Sequence, residues 1–283
     1  MVKVAIIIYS LYNHVATMAA EVKKGIESVE GATADIFQVP ETLSEEILNI
    51  LGSSPSSRPK LPIATPETLT EYDAIVFGMP TRFGAMPTQI KTFLDGTGGL
   101  WASGALYQKP VGVFVSTGSG SGKEFTVFNC LSTFAHHGMI YIPLGYSKVF
   151  AELTNISEPH GGSPWGAGCL AGPDGSRQPS ELELKLARVQ GEEFAHVVVP
   201  YFKKGKEVTK EANGKEANGK EANGKEANGK VAATKEVAAK EAAPPKEAKT
   251  AAKQVVKPVT KAPAKEPIKS KKGFFSKLLK KLT

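Results

Sequence analysis

An α/β fold built on a doubly wound parallel sheet is what this sequence predicts, and three features carry the expectation. Residues 2–9 form a near-continuous β-branched and aliphatic run, as in a parallel strand covered on both faces. Further strand-like runs at residues 33–39, 74–79, 110–116 and 139–146 alternate with helical or loop segments, the pattern of a parallel sheet with helices on both sides. The first run ends in small polar groups and passes directly into a helical pattern.

Taken in order, the first strand leads to a helix whose apolar face holds Val15, Met18, Ala19, Val22, Ile26 and Val29. Between strand and helix, Ser10 and Asn13 bring a hydroxyl and an amide to a helix N-terminus, where free N–H groups and the positive dipole end favour an anion. This loop contains no glycine, so it is not the G-x-G-x-x-G fingerprint of a dinucleotide site, and the phosphate expected is that of a mononucleotide. An ordinary Ser-capped helix after a strand would look the same on this segment alone. Five strands with a phosphate loop after the first suggest the flavodoxin-like order 2-1-3-4-5, with ligand beyond the carboxyl ends of the strands. The loops after strands one, three and four should then converge. They are residues 10–15, residues 80–84 and the Gly/Ser run of residues 116–122, where missing side chains let the backbone approach a flat ligand.

Composition divides the chain. Residues 1–202 carry 13 Lys+Arg against 19 Asp+Glu, whereas residues 203–283 carry 22 against 9, so the overall net charge of +7 belongs to the tail. The first part is long enough for one sizeable core. Two distant cysteines, Cys130 and Cys169, and no basic-then-apolar leader suit a reducing cytoplasm rather than a disulfide scaffold. No apolar run approaches the ~20 residues of a membrane span. His14, His136, His137, His160 and His196 form no ligand spacing with either cysteine, so no metal is expected. There is no nucleophile elbow or triad motif.

Six stretches, residues 10–14, 80–84, 92–95, 97–107, 135–139 and 175–180, resemble the WrbA-type NAD(P)H:quinone oxidoreductases, and the resemblance covers residues 2–202. It implies a flavodoxin-like fold, bound FMN, a homotetramer and two-electron reduction of quinones by NADH or NADPH, which avoids semiquinone and the oxidative stress that follows. By that resemblance Ser10, Leu11, Tyr12, Asn13, His14 and Val15, with Ser116, Thr117, Gly118, Ser119, Gly120 and Ser121, hold the phosphate, ribityl chain and ring edge. Thr81, Arg82 and Phe83 contact the ring, where N–H donors and a cation favour the charge that builds at its N1–C2=O edge on reduction. His136 resembles the histidine beside the flavin, able to donate or pass a proton to a quinone oxygen, while His137 is left to packing. Trp101 resembles the aromatic that a neighbouring subunit places over the flavin, and Tyr12 a contact of the nicotinamide dinucleotide. Asn13 stands where this family has glycine, and asparagine is the residue after glycine best able to take positive φ.

The tail reads differently. Residues 210–229 are four copies of Lys-Glu-Ala-Asn-Gly, a period that keeps no apolar face, so residues 203–267 are expected to be a disordered, solvated linker. Residues 268–283 end in a basic amphipathic segment with Phe274, Phe275, Leu278, Leu279 and Leu282 on one face and lysines opposite, suited to an anionic membrane surface. A peripheral position on the cytoplasmic face of the plasma membrane would follow. Nucleic acid is disfavoured because the tail lacks arginine and interleaved aromatics. Two other functions fit the same residues: a one-electron flavodoxin-like carrier, and a membrane-associated scaffold or sensor in which FMN is structural.

Overall fold

The computed structural model describes residues 1–53 and 58–218. Its elements run β1 (Val2–Ile8), α1 (His14–Glu27), β2 (Ala32–Gln38), α2 (Glu45–Ile50), α3 (Thr68–Glu71), β3 (Ala74–Pro80), α4 (Thr88–Asp95), α5 (Gly98–Ser103), β4 (Pro110–Thr117), α6 (Lys123–His136), β5 (Ile140–Tyr141), α7 (Phe150–Leu153), β6 (Gly168–Leu170) and α8 (Glu181–Asn218). The strands form one parallel sheet in the order β2-β1-β3-β4-β5, with β6 also paired to β4. This is the flavodoxin-like order expected from the sequence.

Alternation along the strands splits the core in two, because successive side chains point to opposite faces. Val4, Ile6 and Ile8 pack under α1 and α8 with Met18, Val22, Ile26, Phe194 and Val198. Ala5 and Ile7 pack on the other face with Ile75, Phe77, Ile90, Phe93 and Phe134. Five of the six apolar positions predicted for α1 are buried within it, and the sixth, Val29, lies beyond its end. The two helices of the first layer touch backbone to backbone. A Cβ on Gly25 would sit 1.9 Å from the Arg188 carbonyl oxygen, and one on Gly191 would sit 2.1 Å from that of Val22.

One expectation needs correction. The fifth strand is not residues 139–146: β5 spans only Ile140–Tyr141 and pairs with Pro110 and Val111. Pro143 has no N–H to continue the ladder, and the chain leaves the sheet until β6 returns beside Val115, Ser116 and Thr117. One sheet position is therefore filled by two short strands. The loop following the second of them reaches the ligand end of the sheet.

The boundary expected at residue 202 falls within a helix. Helix α8 runs through it to Asn218, into the repeats. Lys, Glu and Ala are strong helix formers, and elongating an existing helix avoids the cost of nucleation. The rest of the linker and the amphipathic segment at residues 268–283 lie outside the described residues. Among the described residues no helix is long and apolar enough to cross a membrane, and no group of three or more His, Cys, Asp or Glu could hold a metal ion.

Candidate active site

At the carboxyl ends of β1, β3 and β4 lies a cleft of about 300 Å³, lined by Ser10, Leu11, Tyr12, His14, Val15, Thr81, Arg82, Ser116, Thr117 and Gly118 among others. Each of these was a predicted site residue. A second cavity of about 730 Å³ shares Thr81, Thr117 and Gly118 with it and adds Phe83, Ser119 and Ser121. The three loops converge as the topology requires.

The first loop is shaped for an anion. Asn13 caps α1 with φ 67° and ψ −11°, the left-handed geometry in which it can replace glycine. The Ser10 hydroxyl accepts from the Ala16 amide at 3.2 Å. The amides of His14 and Val15 sit in the first turn, where no helical carbonyl can reach them. Two contacts hold the loop from outside: Tyr12 Oη donates to the Leu51 carbonyl at 2.9 Å, and Ser53 Oγ donates to that of Leu11 at 3.2 Å. His14 is buried and its Nε2–H donates to the Arg177 carbonyl at 2.9 Å.

The second loop is a two-residue hairpin turn. Arg82 and Ala85 exchange both backbone bonds, at 2.8 and 2.9 Å, across Phe83 and Gly84, whose φ values are 54° and 75°. Positive φ at both central positions is a type I′ turn, which favours Asn, Asp or Gly at the first of them. A phenylalanine there is strained, and its side chain is 108% exposed. Helix α6 fixes this turn through Thr81 Oγ1 and Thr126 Oγ1, 2.6 Å apart, and through Asn129 Nδ2, which donates to the Gly84 carbonyl at 2.8 Å. In the third loop Thr117 Oγ1 donates to the Ser121 carbonyl at 3.1 Å, and Gly120 and Gly122 take φ 80° and 78°.

His136 and Trp101 are not brought to this cleft within the chain. Asn129, halfway along α6, lines the cavity, and His136 lies a further seven residues on, about 10 Å along the axis. It is exposed, and its Nδ1–H donates to the Ser132 carbonyl at 2.7 Å. That tautomer leaves Nε2 as an acceptor, so donating a proton from it requires the charged ring. Trp101, on α5, is 59% exposed. His137 links the two elements: its Nε2 lies 2.9 Å from Thr97 Oγ1, and burial and the adjacent His136 lower its pKa. His136 and Trp101 are thus both exposed, on two helices joined through His137, and neither lines the cleft or the second cavity.

Residues 171–175 wall the cleft and were not predicted: Ala171, Gly172, Pro173, Asp174 and Gly175 all line it. A Cβ on Gly118 would stand 3.2 Å from the Gly172 carbonyl oxygen, so the two loops meet closely. Gly-Pro-Asp-Gly in residues 172–175 was the turn signal available in the sequence. Cysteine chemistry is disfavoured, since burial pushes the thiols of Cys130 and Cys169 up to about 12.

Residues 2–151 match the model of the NADPH-dependent FMN reductase family. The chain belongs to that family. It is 60% identical over 201 residues to "Protoplast secreted protein 2" of Saccharomyces cerevisiae, covering 71% of this chain and all of that one. It is 58% identical over 197 residues to "NAD(P)H quinone oxidoreductase PST3" of Candida albicans, covering 69% and 98%. Among solved structures, a WrbA-like flavodoxin from Agrobacterium tumefaciens aligns at 23% identity with a TM-score of 0.48, covering 71% of this chain and 99% of that one. The fungal relatives agree with the resemblance read from the motifs.

Proposed function

We propose that this protein reduces quinones by two electrons at the expense of NADH or NADPH, using FMN. The observation that supports it best is the convergence of residues 10–15, 80–84 and 116–121 on one cleft, in a family whose fungal members include one named NAD(P)H quinone oxidoreductase. The residues fit FMN: helix-terminal amides and the Ser10 hydroxyl suit a phosphate, and Gly118 leaves backbone exposed to a flat ring. Bound FMN would supply hydride acceptance and two-electron transfer.

The chain's own residues have separable tasks. The start of α1 orients the phosphate by its dipole and amides. Arg82 offers a cation beside the cleft, where negative charge would build on reduction. Phe83 spends backbone strain to present an aromatic face to whatever covers the cleft. His136 offers Nε2, and Trp101 an indole plane, on a surface that a neighbouring copy could bring to the cleft. We therefore place the working enzyme as a homo-oligomer, a tetramer by the resemblance, with each cleft completed by another copy. Its cellular role would be to keep quinones from one-electron cycling in the cytoplasm, and residues 268–283 would hold it to anionic membrane surfaces.

The decisive experiment is an absorption spectrum of the purified protein followed by NAD(P)H oxidation with benzoquinone as acceptor. A flavin spectrum with turnover is expected. A preparation that gains no flavin on adding FMN would sink the reading, and bound flavin with negligible turnover on every quinone would favour the scaffold or sensor. For the tail, removing residues 268–283 should leave turnover unchanged and abolish salt-sensitive co-sedimentation with phosphatidylserine vesicles. If the full chain fails to sediment with them at low salt, the membrane assignment fails.

A further inference from the structure

Glu183 is completely buried and accepts four hydrogen bonds. Its Oε1 takes the amides of Gly161 at 3.0 Å and Leu170 at 2.9 Å; its Oε2 takes Arg177 Nη1 and the Ser180 amide, both at 2.8 Å. Arg177 spreads the connection. Nη1 also donates to the Leu170 carbonyl at 2.6 Å, Nη2 donates to the Pro159 carbonyl at 3.1 Å, and the Arg177 amide donates to the Ala171 carbonyl at 3.1 Å. Residues 170 and 177, the two ends of the loop that walls the cleft, are therefore fastened to each other and to the start of α8. The Arg177 carbonyl in turn accepts from His14, the first residue of α1. Arg177 thus joins the cleft's wall to the start of α1, its side chain paired with Glu183 and its carbonyl accepting from His14.

We propose that Arg177 and Glu183 are positioning residues that hold residues 171–175 against the start of α1, so that this pair, which need not touch the flavin, sets the preference for FMN over riboflavin. The proposal rests on the flavin reading above and deepens it. All five wall residues face the cleft that contains Ser10, His14 and Val15, the residues suited to a phosphate, whereas only Gly172 and Pro173 also border the second cavity, whose Phe83, Ser119 and Ser121 come from other loops. Loosening the wall should cost the phosphate its enclosure and leave the ring's contacts largely in place.

The test titrates full-length apoprotein with FMN and with riboflavin, following flavin fluorescence. Arg177→Met keeps Glu183 bonded to three backbone amides, so the apoprotein is expected to keep its circular dichroism spectrum. Its FMN dissociation constant should rise at least 10-fold while that for riboflavin stays within 3-fold, and Arg177→Lys should fall between. Equal losses for both flavins, or no loss for either, would overturn the proposal. If Arg177→Met does not fold, Arg177→Lys and hydrogen exchange in the wild-type apoprotein decide: the Arg177 amide should be protected before flavin is added, and rapid exchange there would overturn a preformed wall. A wild type that binds neither flavin would overturn the flavin reading itself and this proposal with it, an outcome distinct from selective or equal loss in a variant.

Discussion

The cleft and the Trp101–His136 surface differ in how they are made. Every wall of the cleft comes from loops at one end of one sheet, each held by bonds inside the same chain: Ser10 to Ala16, Thr81 to Thr126, Asn129 to Gly84, Arg177 to Glu183. The other region carries Trp101, exposed on α5, and His136, exposed at the far end of α6, two helices joined by the His137–Thr97 contact. On the proposed function, holding a cofactor and meeting a substrate would fall to different parts of the molecule. The first would then need only correct folding, whereas the second would need a neighbouring copy as well.

The largest expected effect tests that division. Replacing Trp101 with Ala should lower kcat/KM for quinone by about 100-fold, within the range for a buried aromatic anchor, and leave FMN affinity within 3-fold. Gly118→Val should do the reverse and abolish flavin binding, because even a Cβ at that position would meet the Gly172 carbonyl oxygen at 3.2 Å. Co-refolding the two inactive variants should restore activity, since an intact cleft on one chain can receive Trp101 from the other. If the mixture remains as inactive as its components, the shared site is wrong and Trp101 acts within its own chain or not at all.

A milder change probes the cleft alone. Gly118→Ala adds only the Cβ, and Gly172 can yield by a few tenths of an ångström, so the expected loss is about 1 kcal/mol of FMN binding, roughly fivefold in affinity. Fluorescence titration would measure it. An unchanged constant would mean that residues 171–175 are looser than the Arg177 bonds imply.

These differences also explain what the sequence could disclose. The sheet was legible because β1, β3 and β4 are long, mostly apolar runs, and Asn13 was legible because few residues tolerate its φ of 67°. The wall loop was not. It follows β6, three residues with a glycine at the start and no usable periodicity, and its position depends on Glu183 reaching back from α8. A local clue existed: Ser180 and Glu183 exchange bonds as a capping box, so the start of α8 could have been read from Ser-x-x-Glu. That the same carboxylate would also collect Arg177 and two distant amides could not. Likewise, the motifs around Trp101 and His136 carried a family's function without revealing that one chain keeps them away from its own cleft.

Phe83 gives a smaller effect of opposite signs. Phe83→Asn places a residue suited to type I′ geometry at φ 54° and should raise stability by about 1 kcal/mol, read as a higher urea midpoint with unchanged slope. Quinone turnover should fall, because the exposed aromatic is lost. A variant that is both no more stable and fully active would show that the phenylalanine is neither strained nor used.

The smallest effect lies on the other side of the comparison. Burial and the adjacent His136 lower the pKa of His137 below its ordinary 6.5. The unfolded chain then takes up a proton at a pH where the native ring stays neutral, so stability rises with pH in that interval. The contribution is complete above about 6.5 and is lost as the pH falls through that value towards the lowered native one. His160, also lowered by burial and by Lys123, adds a second contribution of the same sign. His137→Gln keeps a partner for Thr97 and removes one of the two titrations, so its urea midpoint should decline less between pH 7 and pH 5 than that of the wild type. FMN affinity at neutral pH should not change, because His137 serves the α5–α6 surface and not the cleft. An unaltered acid slope would place the sensitivity on His160, and a change in FMN affinity would show that the two regions are coupled through the fold.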